Sequence, residues 1–123
     1  MILETNRLRF TQEELDTLGV KPGDRVSVEY IKINDILTPV ISQTEYGHKI
    51  TKTKSIQLRN AANQILSFYG KEFELEQYEG VFKLKGDSNK KIHTSLNSVF
   101  KTLPIEIIND INYNLKTFEN YEF

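Results

Sequence analysis

The apolar positions recur at two spacings along the chain. Arg7-Leu8-Arg9-Phe10 alternates polar with apolar residues, which predicts a short strand with one buried face. Thr11-Gln12-Glu13-Glu14 follows as a capping box: the Thr11 hydroxyl accepts a backbone N–H three residues on, and Glu14 reaches back. Leu15 and Leu18 supply the apolar stripe of a short helix, and Gly19 suits the left-handed residue just past its end, with Val20 as apolar partner. Lys21-Pro22-Gly23-Asp24 reads as a type II turn, with Pro fixing the first φ and Gly taking the positive one. Val26, Val28, Tyr30 and Lys32 then share one strand face, opposite Arg25, Ser27, Glu29 and Ile31. Asn34-Asp35 turns the chain into Ile36 to Ile41, where Pro39 predicts an edge or a shortened strand.

Ser42 to Lys54 has little periodicity and reads as a polar connector, with Thr and Ile able to pair as an irregular strand. The earlier order then returns. Ser55 to Arg59 alternates like a strand, and Asn60 is the expected N-cap of a helix with Ala62, Ile65, Leu66 and Tyr69 inward. Gly70 closes that helix, Phe73 and Leu75 alternate with Glu72, Glu74 and Glu76, and Glu79-Gly80 signals a hairpin into Val81 to Lys85. Gly23 thus aligns with Gly70, Val26 with Phe73 and Val28 with Leu75, and a one-residue gap aligns Leu8 with Ile56 and Phe10 with Leu58. The expected organisation is a first unit over 1–46, a second over 47–87 sharing its core, and an extension over 88–123. Gly86 to Asn89 reads as a loop. Beyond it the pattern is helical: Ile92, Leu96, Val99, Phe100 and Leu103, then Pro104 opening a last helix with Ile105, Ile108 and Leu115.

Composition changes this picture in two ways. A hydrophobic content of 38% and an aromatic content of 11% suffice for a core and exclude a disordered tail. No apolar run approaches a membrane span, and Met1 to Arg7 lacks the apolar core of a signal peptide, so the expected compartment is the cytoplasm. The absence of cysteine removes disulfides, thiol catalysis and thiolate metal sites. The net charge of -1 argues against a uniformly basic nucleic-acid surface. The charges are nevertheless segregated. Lys49, Lys52, Lys54 and Arg59 form an acid-free stretch, and Lys83, Lys85, Lys90, Lys91 and Lys101 another with only Asp87. Glu72 to Glu79 and the end of the chain are acidic. An abundance of Asn, Lys and Ile suggests a low-GC genome and is compatible with a phage origin.

Thr11-Gln12-Glu13-Glu14-Leu15-Asp16-Thr17-Leu18-Gly19-Val20-Lys21-Pro22-Gly23-Asp24-Arg25-Val26-Ser27-Val28 resembles the AbrB-like swapped-hairpin barrels, with the Leu-Gly-x-Lys-Pro-Gly-Asp core as its most specific part. Residues 7–41 carry the resemblance, and the second half matches in plan only. Thr11 and Asn60 stand where the family usually places a Pro between first strand and helix. The resemblance implies an α+β fold, a small β-barrel of duplicated strand-helix-hairpin units followed by C-terminal helices. Family members usually carry one unit and dimerise; two units in one chain imply a monomeric pseudo-dimer or a homodimer. Members are commonly DNA-binding transcription regulators or antitoxins. The resemblance carries DNA binding to Arg7, Arg9 and Arg25, and places Lys52, Lys54 and Arg59 comparably in the second half. Such a one-sided cationic cluster neutralises phosphates and gives salt-dependent affinity. Glu4, Glu13, Glu14, Asp16 and Asp24 lie close by and oppose it.

Other chemistry is sparse. His48 and His93 sit in no metal-ligand spacing and read as surface residues. There is no Gly-rich phosphate loop and no G-x-S-x-G. Glu72, Glu74 and Glu76 share a strand face and read as a solvated acidic surface. The expectation is a non-enzymatic protein without catalytic residues, metal or cofactor. Two functions remain. One is a DNA-binding or polymerase-associated transcription regulator acting on duplex DNA. The other is a protein-binding adaptor or structural component, such as a phage accessory or virion protein, working through the C-terminal helices and tail. In that tail Phe118, Glu119, Tyr121, Glu122 and Phe123 alternate aromatic with acidic groups, a pattern suited to docking in a partner's apolar groove.

Overall fold

The computed structural model describes residues 1–34, 36–90 and 92–93. They form an α+β structure with nine strands and two helices: β1 (Ile2–Glu4), β2 (Arg7–Arg9), α1 (Gln12–Leu18), β3 (Arg25–Ile33), β4 (Ile36–Gln43), β5 (His48–Lys49), β6 (Ser55–Gln57), α2 (Asn60–Tyr69), β7 (Phe73–Tyr78), β8 (Val81–Gly86) and β9 (Ile92–His93). The first half runs β1-β2-α1-β3-β4 and the second repeats that order as β5-β6-α2-β7-β8.

Local chemistry sets α1. Thr11 accepts the Glu14 N–H at 3.2 Å while Glu14 accepts the Thr11 N–H at 2.8 Å. Gly19 ends the helix at φ 73°, and Val20 N–H returns to the Leu15 carbonyl at 3.0 Å. Gly23 takes φ 100° in the following turn, closed by Asp24 N–H to the Lys21 carbonyl at 3.0 Å.

The strands lie in two open sheets rather than one closed barrel. One has the order β1-β2-β6, and the other β5-β3-β4-β8-β7 with β9 also on β4. An isolated bridge, Ile2↔Glu72, links them, flanked by Leu3 N–H to the Lys71 carbonyl at 2.7 Å and Phe73 N–H to the Met1 carbonyl at 2.9 Å. At the other end Thr51 N–H to the Ser55 carbonyl joins the end of β5 to β6. With three residues in β1 and two in β5, neither first strand is long enough to carry a ladder around a barrel.

The halves interleave. β5 pairs with β3, β2 with β6, and β4 with β8 through Val40↔Lys83 and Ile41↔Phe82. One core follows, uniting Leu3, Leu8, Leu15, Val26 and Ile41 with Ile50, Ile56, Ile65, Leu66, Phe73 and Leu84. Each such side chain contributes about 1.5–3 kcal/mol by leaving water.

Four sequence expectations need correction. β4 is neither an edge nor short: it is covered by β3 on one side and by β9 and β8 on the other. Pro39 lies in the interval between the β9 pairs at 36–37 and the β8 pairs at 40–41, where its missing N–H interrupts no ladder on that side. Ile92 and His93 are a strand against Ile36 and Leu37, not the start of a helix. The N-cap of α2 is Arg59, and Asn60 is already helical. Lys32 is exposed although it shares a strand face with buried Val26 and Tyr30. Met1 and Leu3 belong to the core because β1 is a strand. The C-terminal helices expected beyond His93 lie outside the described residues.

Candidate nucleic-acid interface

Within the three-stranded β1-β2-β6 sheet, β2 and β6 form an antiparallel ribbon with the register Arg7↔Gln57, Leu8↔Ile56 and Arg9↔Ser55, and β1 pairs with the other side of β2. Leu8 and Ile56 are fully buried, and the period-two alternation turns Arg7, Arg9 and Gln57 to the other face. Phe10 N–H to the Lys54 carbonyl (2.7 Å) extends the ribbon at one end, and Leu58 N–H to the Asn6 carbonyl (2.8 Å) at the other. Lys54 therefore stands beside Phe10, and Arg59 follows the residue that meets Asn6.

The structure thus gathers Arg7, Arg9, Lys54 and Arg59 along one ribbon, with exposed Lys52 in the turn before it. Arg25 stands apart at the start of β3. It pairs in register with Lys49 and donates from Nη1 to the Gly47 carbonyl at 2.8 Å. Arg9 is held by Glu4, Nε to Oε1 at 3.0 Å. Among the described residues no acid pairs with Arg7, Lys52 or Lys54.

Several acids that oppose the cluster in sequence are turned elsewhere. Glu14 binds the Thr11 N–H, Asp24 accepts the Lys21 N–H at 3.0 Å, and Asp16 accepts from Gln12 at 2.9 Å. In the second half, Glu74 and Glu76 stand opposite Lys85 and Lys83 in the β7–β8 ladder, with Lys83 Nζ 3.6 Å from Glu76 Oε1. The acidic strand face is therefore balanced across the ladder.

His48 is not the surface residue its sequence context suggests. It is half-buried and pairs in register with Val26, and burial together with the Arg59 guanidinium holds its pKa below the ordinary histidine value. Arg59 therefore lies close to β5. Gln57 was not among the expected binding residues, although the alternation from Ser55 to Arg59 already places it outward. Phe118, Glu119, Tyr121, Glu122 and Phe123, the expected protein-docking tail, lie outside the described residues.

A second concavity, of about 630 Å³, opens between β4, β8 and the 86–90 loop, with Pro39, Tyr69, Lys83, Lys85 and Lys90 among its walls. Tyr69 is among its lining residues; its hydroxyl donates to the Leu37 carbonyl at 2.5 Å and its burial pushes the phenol pKa well up. Its lysines are partly engaged: Lys83 lies over the Tyr78 ring and Lys90 over the Phe68 ring. No cluster of three metal-binding side chains occurs among the described residues, and none of their helices is long and apolar enough to cross a membrane. No protein-family model matches the chain, and neither a curated protein nor a solved structure matches it.

Proposed function

We propose that the chain is a non-enzymatic regulator that binds duplex DNA through the β2–β6 ribbon, on two interleaved AbrB-like strand-helix-hairpin units. The observation that carries this reading is the ribbon itself. An antiparallel pair with Leu8 and Ile56 inward sets Arg7, Arg9 and Gln57 on its other face and Lys54 and Arg59 at its ends. Antiparallel strands can present side chains to a DNA groove, and flanking cations reach the phosphates. The repeat is supported by backbone detail. Asn6 (φ 58°) and Lys54 (φ 62°) sit at matching points before β2 and β6, and Asn34 (φ 51°) and Glu79 (φ 41°) at matching hairpin tips.

The test is duplex binding across a salt series, comparing wild type with an Arg7→Ala/Arg9→Ala variant of the ribbon. Binding should weaken steeply with salt, and the variant's slope should be shallower by roughly one for each phosphate it no longer neutralises. No binding at low salt would sink this reading. The protein-binding adaptor, favoured by the net charge of -1 and the Glu4–Arg9 ion pair, would then take its place.

A further inference from the structure

We infer that one copy of this chain recognises a single duplex site lacking two-fold symmetry, and that base discrimination is concentrated at the end of the β2–β6 ribbon formed by Arg7 and Gln57. This rests on the DNA-binding reading above and adds the form of the site.

The hydrogen bonding between β2 and β6 is locally two-fold, although β1 pairs with β2 and not with β6. The axis passes through the Leu8↔Ile56 pair, and it exchanges the bond from Phe10 N–H to the Lys54 carbonyl with that from Leu58 N–H to the Asn6 carbonyl. It also exchanges the two left-handed residues, Asn6 and Lys54. Two identical subunits meeting this way would present identical ends, and would match a palindromic site.

The side chains break that symmetry. Arg7 exchanges with Ser55, and Arg9 with Gln57. Ser55 has no exposed surface: its hydroxyl lies 2.9 Å from Thr51 Oγ1, and its N–H donates to that oxygen at 3.2 Å. The ends consequently differ. One end presents Arg7 and Gln57 side by side; Glu4 stands in register with Arg7 on the β1 side, but its carboxylate is paired with Arg9, and no acid pairs with Arg7 among the described residues. At the other, Arg9 is tied to Glu4 and its cross-strand neighbour is covered, leaving Lys54 as the available cation.

These sets suit different parts of DNA. Arg matches guanine O6 and N7 with two hydrogen bonds, and Gln matches adenine N6 and N7. Lys acts as a point charge for phosphate and carries no base preference. The Arg7–Gln57 end therefore selects sequence, and the Lys54 end supplies affinity without sequence.

The experiment is selection of duplexes from a randomised pool with the full chain, followed by binding of the enriched duplex to wild type, Gln57→Ala and Lys54→Ala. Thermal melting of each variant checks that the fold is kept. The expected result is a 1:1 complex on an enriched sequence without two-fold symmetry. Gln57→Ala should lower the preference for that sequence over random duplex by about tenfold with an unchanged salt slope. Lys54→Ala should weaken both duplexes equally and reduce the slope by roughly one. A palindromic enriched sequence, two chains per duplex, or equal loss on both duplexes for Gln57→Ala would overturn the inference while leaving DNA binding standing. Absence of any salt-dependent binding would instead overturn the DNA reading beneath it.

Discussion

The two helices occupy the same place in the two halves, yet they are held in different ways. α1 is secured largely by its own ends: a reciprocal capping box at Thr11 and Glu14, and a left-handed Gly19. It buries one side chain fully, Leu15. α2 has no side-chain cap at its start, and Gly70 ends it at φ 142° and ψ -173°, a positive φ but not the αL conformation of Gly19. Its hold comes from Ile65, Leu66 and Tyr69, all buried, and from partners far away in sequence. Helices this short take most of their stability from packing; α1 adds its caps to that, and α2 depends on packing without a side-chain cap.

Truncation of the buried anchors gives the largest expected effect. Leu66→Ala, with Leu66 1% exposed, should cost about 2–5 kcal/mol and shift the urea midpoint down with little change in slope. Leu15→Ala should cost a similar amount, because Leu15 is the one fully buried side chain of α1. If Leu66→Ala proved nearly silent, α2 would not depend on packing and the contrast would collapse.

Next is Tyr69→Phe. The Tyr69 hydroxyl is buried and donates to the Leu37 carbonyl, so its removal leaves a buried acceptor without that donor. The expected loss is about 1–2 kcal/mol by chemical denaturation. This bond ties the last turn of α2 to β4 of the other half, and α1 has no counterpart to it among the described residues. An unchanged midpoint would remove the cross-half tie from the comparison.

The caps separate the helices most directly. Thr11→Ala should cost about 1 kcal/mol, since it leaves the Glu14 N–H without its side-chain acceptor. Asn60→Ala should stay within about 0.5 kcal/mol, because Asn60 is inside the helix rather than at its cap. Equal losses from the two substitutions would show that Asn60 caps α2 after all.

This contrast also explains what sequence reasoning reached. The whole of α1, its cap, its Gly end and the turn at Gly23 were readable because each is written in adjacent residues. The helix of the second half, the Glu79-Gly80 hairpin and the inward Leu8 and Ile56 were readable from periodicity alone. What escaped depends on partners distant along the chain. β1 and β5 are too short to show alternation, and become strands only by docking on residues 71–73 and on β3. Pro39 normally argues for an edge, and only the positions of β8 and β9 allow it a central strand. Ile92 and His93 have a helical pattern ahead of them and a waiting sheet edge beside them, and the edge decides. In the candidate interface, Arg7 and Arg9 were visible as outward positions. Their meeting with Lys54 and Arg59, and the part of Gln57, required the β2–β6 register.

The smallest effect concerns the end of α2. Where α1 finishes on a left-handed glycine, the chain after α2 is held by Asp87. Its carboxylate accepts the Lys71 N–H at 2.8 Å and the Glu72 N–H at 3.4 Å, and its own N–H donates to the Glu72 carbonyl at 3.1 Å. Gly70 is required at this point because its φ of 142° disfavours any side chain and a Cβ there would collide with the Asp87 carboxylate and backbone nitrogen. The Lys71 and Glu72 N–H groups stabilise the charged form and hold the Asp87 pKa below its ordinary value of 3.8. A carboxyl depressed in the folded state adds stability that is fully present above its unfolded pKa and is lost as pH falls through the folded one. The melting temperature of wild type should therefore exceed that of Asp87→Ala at neutral pH, and the gap should narrow only below about pH 4. Asp87→Asn, which keeps an acceptor oxygen without the charge, should fall between the two at neutral pH and show a flatter acid limb. A gap unchanged down to about pH 2 would mean that Asp87 acts through its shape alone. A gap that closed as predicted would show that the second half holds the chain after its helix with a charge from the loop beyond β8, where the first half uses the geometry of one glycine.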